Sequence, residues 1–303
     1  MNTQSTAMPE SFDSQRIAPE LSATQPLLWS VRRELWEYRS IYVAPLAVAA
    51  VMLFGFLIAT IGRAMSMDPA RRAAVLTEPN DFAALLIMGT AFIVGGFYSL
   101  EALHGERRDR SILFWKSLPV SDLLTVLSKA SIPLVVLPLL GFVLTVATQL
   151  ILLLLSSAVQ LASGQSVATH QPGFFETSLV MLYHILTSHG LWYAPIYGWL
   201  LLVSAWARRA AFLWATLPLL AIGVVEKIAF NTSYFADMLK QRLMGGPDGA
   251  FPSSGMSGGM PMASLAQLTP GQFLMSPGLW FGLFLAAIFL TAAVRLRRSQ
   301  GPI

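Results

Sequence analysis

Between Ile132 and Leu155 the chain runs for 24 residues without a charged side chain. At about 1.5 Å per residue a helix of that length reaches about 36 Å, more than the roughly 30 Å hydrocarbon core of a bilayer. Similar apolar runs occupy Val43–Ile61, Phe82–Leu100, Leu191–Trp206, Ala211–Phe230 and Pro277–Val294. In lipid every backbone polar group must be bonded within the protein, so such runs are read as helices. Only 12% of the 303 residues are charged and 55% are hydrophobic, against about 25% charged in a soluble domain. The expected fold class is an all-α integral membrane protein with six transmembrane helices.

The fourth crossing is the least regular. Phe174–Leu186 is amphipathic and carries Glu176 and His184, and it leads into the apolar stretch Leu191–Trp206. Pro195 predicts a bend there, because its ring removes a helix hydrogen bond. The crossing is therefore placed at 191–206, with an extension from 174.

Ahead of the first span, residues 1–25 are polar, with Glu10, Asp13 and Glu20 against a lone Arg16. That is not the basic start and early apolar run of a signal peptide, so a disordered cytoplasmic tail is expected. Residues 26–40 contain PLLWSVRRELWEY, Pro26–Tyr38. Leu27, Leu28, Val31, Leu35 and Trp36 fall at helical spacing, with Arg32, Arg33, Glu34 and Glu37 on the other face. A short helix with that stripe suits the membrane surface. Residues 41–303 then form the transmembrane domain.

Six crossings put both termini on one side, and the basic residues select which. The side holding the termini, the 101–129 segment and the Arg208–Arg209 turn carries 14 of the 20 Lys and Arg residues; the opposite side carries six. Positive residues stay inside, so both termini are expected in the cytoplasm. The net charge of +4 is thus explained by orientation, and no nucleic-acid partner is implied. Loop 231–276 falls outside. Within it Ser233–Leu243 has the spacing of a short amphipathic helix through Tyr234, Phe235, Met238 and Leu239, and Met244–Met262 is rich in Gly, Pro, Ser and Met, which makes it flexible.

Several constellations carry little chemistry. The chain has no cysteine, which excludes disulfides and thiolate sites. Met244, Met256, Met260 and Met262 offer thioethers for a soft metal, but no His or Cys stands with them, so no metal site is expected. Glu101 and His104 form a single Glu-x-x-His pair, where di-iron bundles use two such pairs and two further glutamates. His184 and His189 are five apart and face different ways. No phosphate-binding Gly-x-x-x-x-Gly-Lys-Ser/Thr motif occurs, and no catalytic or cofactor-binding residues are expected. Glu226 and Lys227 follow Arg209 by roughly 24 Å of helix, short of a full crossing. They either snorkel to the interface or form a polar gate.

One polar island interrupts the apolar sequence, Glu101–Ser121, EALHGERRDRSILFWKSLPVS. It joins basic Arg107, Arg108, Arg110 and Lys116 to an amphipathic stretch containing Ile112, Leu113, Phe114 and Trp115. From Glu106 it reads Glu-Arg-Arg-Asp-Arg-Ser-Ile-Leu-Phe-Trp, then Ser-Leu-Pro-Val-Ser at Ser117–Ser121. With the six-span layout and the leading surface helix, this resembles permease subunits of ABC exporters of the ABC-2 type. Lys129 also sits where such permeases often carry a lysine. The chain departs from the pattern at Arg110, where many members have glycine.

The resemblance covers the topology broadly and the motif over about 30 residues. It implies a cytoplasmic coupling helix at Glu101–Ser121, with Glu106, Arg107, Arg108, Arg110, Phe114, Trp115 and Pro119 meeting a nucleotide-binding ATPase subunit. It also implies that Leu27–Tyr38 is the elbow helix, with Arg32, Arg33, Glu34 and Trp36. ATP and Mg would bind the partner ATPase and not this chain. A second permease copy, homodimeric or heterodimeric, membrane lipid and the bacterial inner membrane complete that expectation. The alternatives are a non-transporting anchor or assembly subunit, and a secondary transporter, which would bury charges or break helices near the midplane.

Overall fold

The computed structural model describes residues 24–63, 69–117, 120–162, 174–244 and 270–301. All their regular structure is helical, and five helices are long and apolar enough to cross a membrane. Phe54, Phe97, Leu154, Leu220 and Ile228 are each more than half exposed. So much large apolar surface is what a lipid-facing bundle presents.

Helix α1 (Thr24–Glu37) is followed by α2 (Ser40–Arg63) and α3 (Pro69–Glu101). The α1 stripe divides differently from the expectation. Val31 and Leu35 pack into the core, whereas Leu28 and Trp36 face outward beside Trp29. Glu34, expected on the polar face, is fully buried. Its position one turn from Val31 places it on the inward stripe, and its charge is met there by partners described below. The outward face carries a ladder in which the Arg32 guanidinium lies 5.7 Å from the Trp29 ring and 5.5 Å from the Trp36 ring, a cation–π arrangement.

The polar island becomes two short helices, α4 (His104–Arg108) and α5 (Ile112–Ser117). They are joined through Arg110, whose φ is 60°. That is the left-handed region glycine adopts without strain. After Ser121, whose hydroxyl accepts from Leu124 N at 3.2 Å, α6 (Asp122–Ser131) runs through a π turn at Ile132–Val136 into α7 (Leu137–Ala162). Pro133 and Pro138 lack the N–H groups an unbroken α ladder needs, and the wider turn lets the helix pass them.

The irregular crossing is α8 (Phe174–His184), a π segment Ile185–Trp192, and α9 (Ala194–Trp206). The break falls at Tyr193, and Pro195 occupies the first turn of α9, where its fixed φ suits a helix start. The two π segments pack against each other. The chain ends with α10 (Ala211–Phe230), α11 (Tyr234–Met244), α12 (Pro270–Met275) and α13 (Pro277–Ser299).

The tightest helix pair is α9 with α13. A Cβ at Gly198 would stand 3.4 Å from the Ala286 backbone, the small-residue approach that membrane helices use in place of a hydrophobic driving force. The main core joins α1, α3, α6, α9 and α13 through Val126, Tyr98, Leu201 and Ala293. A smaller cluster of Phe56, Ala83 and Leu152 joins α2, α3 and α7. Among the five long apolar helices α10 is the least buried, with only Ala215 fully enclosed. It is held near its start, where Trp199 Nε1 donates to the Ala215 carbonyl at 3.1 Å and Trp206 meets Trp214 edge-on.

Ala210, ahead of α10, has φ 50° and ψ 54°, left-handed for a residue with a Cβ. Ala210→Gly should remove a strain of about 1 kcal/mol and raise the thermal unfolding midpoint in detergent. An unchanged or lowered midpoint would mean the turn is not strained.

Candidate functional site

A lysine between two glutamates organises the end of the bundle that carries the polar island. Lys129 is 1% exposed. Its Nζ stands 2.9 Å from Glu34 Oε1 on α1 and 3.1 Å from Glu106 Oε1 on α4. The other Glu106 oxygen pairs with Arg297 on α13, whose Nε reaches Asp122 Oδ1 at 3.1 Å. Arg33 pairs with Glu34 and lies 3.3 Å from Glu106 Oε1. The second Glu34 oxygen accepts from the Tyr98 hydroxyl at 2.9 Å, and Tyr98 packs edge-on against Tyr38.

Three carboxylates, Glu34, Glu106 and Asp122, thus face three cations, Arg33, Lys129 and Arg297. This inner set is charge-balanced and extensively hydrogen-bonded, which is the condition for burying charge, and half-exposed Glu37 meets Arg33 at 3.9 Å on its outer edge. It ties α1, α4, α6 and α13 together, with α3 contributing Tyr98. Burial pushes the Glu34 carboxyl up, but Lys129 and Arg33 more than offset this and hold it below the ordinary 4.5.

This burial changes the reading of two residues expected to meet a partner. Glu106 is an internal acceptor with three cations around it. Arg107 is 6% exposed, and its Nη1 donates to the carbonyls of Ala205 at 2.6 Å and Ala207 at 3.4 Å. It caps the C-terminal end of α9, where a cation is favoured by the unpaired carbonyls. Its Nε also reaches the Gly301 carbonyl at 3.4 Å. Neither side chain is presented outward.

Arg108, Arg110 and Phe114 are exposed. Arg108 pairs with Glu101 at 2.9 Å and Asp109 at 3.1 Å. Trp115 is partly buried beneath the Arg33 guanidinium, 3.8 Å from its ring centre. Pro119 lies outside the described residues. Ile112 is buried, and Lys116 Nζ donates to the Gln300 carbonyl at 2.9 Å. The α5 backbone is therefore held at three points while Leu113 and Phe114, 58% and 60% exposed, project outward.

The remaining candidates are dispersed. Glu226 accepts from the Thr232 hydroxyl and the Phe235 backbone N–H, each at 2.9 Å. It thereby holds the turn into α11, while Lys227 is exposed. His184 Nδ1 lies 2.9 Å from its own helix's Val180 carbonyl, and His189 sits beside Phe92 and Tyr193. Of the four methionines, 256, 260 and 262 lie outside the described residues.

No family model, curated protein or solved structure matches this chain.

The hub was not assembled from sequence. In the sequence Lys129 and Arg297 both count toward orientation, and Lys129 also enters the resemblance, but nothing in the pattern brings the two together. A usable sign existed: Lys129 is the only Lys, Arg, Asp or Glu between Asp122 and Glu176. A lone charge at the head of so long an apolar run requires a partner elsewhere.

Lys129→Ala should strand two buried carboxylates and cost about 3–5 kcal/mol, read as a lowered unfolding midpoint in detergent; a shift below about 1 kcal/mol would remove Lys129 from the hub. The depressed Glu34 value sets a pH dependence. Its stabilising contribution is complete above about pH 4.5 and is lost as pH falls through the lower folded-state value. Glu34→Gln should flatten that acid limb of a stability-against-pH curve, and an identical limb in the variant would rule Glu34 out as its source.

Proposed function

We propose that this chain is the membrane-spanning permease subunit of an ATP-driven exporter of the ABC-2 type. In this reading α8, the π segment and α9 together make the fourth of six crossings, and both termini lie in the cytoplasm. Helix α1 is the elbow at the membrane surface, its Trp29–Arg32–Trp36 face suited to the head-group region where aromatic and basic side chains favour the interface. ATP and Mg bind a separate ATPase subunit, and a second permease copy completes the path.

One observation carries the reading: α5 presents Leu113 and Phe114 to the outside from a rigidly held backbone. Exposed Arg108, Arg110 and Lys116 flank this pair along the chain. Apolar anchors flanked by cations are the composition of a docking patch for a folded partner with an acidic rim. Ile112, Trp115 and the Lys116 contact to α13 anchor that patch to the bundle. A push on α5 is thereby delivered to α1 and α13 through Arg33 and the C-terminal carbonyls. Glu106 and Arg107 support this surface from beneath.

The test is purification of the tagged chain from its native membranes in mild detergent, with ATP hydrolysis measured on the product. An ATPase subunit with a phosphate-binding loop should accompany the unaltered chain. Phe114→Asp combined with Arg108→Glu should lose it while the unfolding midpoint stays within about 1 kcal/mol of the original, as expected for surface substitutions. Absence of any such subunit, or its full retention by the double variant, would remove the coupling role.

A further inference from the structure

Between its two ends α10 packs loosely, and a cleft of about 1220 Å³ opens between it and α3, α9 and α13. Its walls include Phe97, Leu200, Leu219, Phe281 and Phe289. From Gly278 to Phe289 along α13 the cleft extends about 16 Å by helical rise, about half of a roughly 30 Å hydrocarbon core. Its depth is that of one lipid leaflet.

Helix α11 closes one end. Arg242 lines the cleft there, and its Nη1 donates to the Gly278 carbonyl at 3.1 Å. The guanidinium stacks on Trp192 at 4.0 Å, and Trp192 Nε1 in turn donates to the Arg242 carbonyl at 3.2 Å. A Cβ at Gly282 would collide with the guanidinium, so glycine is what lets the cation lie against α13. Nη2 is buried and finds no acceptor among the described residues. A half-buried cation at the head of an apolar cleft is costly unless a negative charge accompanies it.

We propose that this cleft binds an anionic membrane lipid, with one acyl tail between α10 and α13 and the head group on Arg242. The apolar walls match the tail, the depth matches a leaflet, and the uncompensated guanidinium matches an anionic head group and disfavours a purely apolar guest. This inference is independent of the exporter reading, because it needs neither an ATPase nor a second copy.

The experiment is native mass spectrometry of the purified full-length chain, titrated with phosphatidylglycerol or with phosphatidylethanolamine bearing the same tails. The unaltered chain should retain phosphatidylglycerol about tenfold more tightly, the effect of one charge-assisted contact. Arg242→Gln should abolish that preference and Arg242→Lys should keep most of it. Leu219→Trp, which fills the cleft, should lower retention of both lipids about tenfold. Equal retention of the two lipids by the unaltered chain, or unchanged retention in Leu219→Trp, overturns the proposal. So does a dimer that excludes lipid, since a second copy would then occupy the cleft. Should Arg242→Gln fail to fold, the two-lipid comparison on the unaltered chain and on Leu219→Trp decides alone.

Discussion

Lys129 bridging Glu34 and Glu106 is the contact on which the rest of this structure depends. Remove it conceptually and α1 loses its only buried charge partner from α6, α4 loses its anchor, and Glu106 faces Arg297 and Arg33 without its third cation. Buried ion pairs are poor evidence of net stability, since well-packed apolar residues can do as well. Their distinguishing property is intolerance of displacement. A leucine can slide past its neighbours at small cost, whereas a buried carboxylate that leaves its cation cannot. The network therefore specifies where α1, α4, α6 and α13 sit relative to one another more than how strongly they adhere.

The arrangement of α5 follows from that specification. Arg33 belongs to the network through Glu34 and Glu106, and it also covers the Trp115 ring. Lys116 reads the carbonyls that end α13, three residues beyond network member Arg297. A six-residue helix has no stability of its own. Its backbone is positioned because two residues on it are bonded to elements that the hub already holds, which frees Leu113 and Phe114 to face outward.

Much of the architecture was legible because the bilayer leaves few options. Apolar runs of about 20 residues must be helices, and the runs at 43–61, 82–100, 132–155, 211–230 and 277–294 each lie within a long apolar helix. Pro195 correctly marked an irregularity, although the π segment before it was not foreseeable from a single proline. The site was less legible. A charged residue on a short amphipathic helix looks solvated in sequence, because periodicity reports faces and not what waits opposite them. Glu34 and Arg107 were misplaced for that reason: their partners lie 95 and about 100 residues away. Arg110 shows the converse, a local left-handed conformation that the arginine itself does not announce.

The two ends of the bundle are built on opposite terms. At the island end, charges with long-range partners lock five helices together. At the other, α10 leans away with one buried residue, and the turn into α11 is held locally by Glu226. In the proposed exporter, strain entering at α5 would meet a region that resists rearrangement, so α1, α6 and α13 would respond to it as one body. Displacement must then be taken up where packing is weakest, between α10 and the α9–α13 pair, since packed interfaces move as units and do not deform continuously. In the proposed exporter this makes the lipid-depth cleft the compliant element and the Lys129 hub the rigid one. The device needs both: a loose hub would dissipate the push within α1, and a tightly packed α10 would leave the motion nowhere to go.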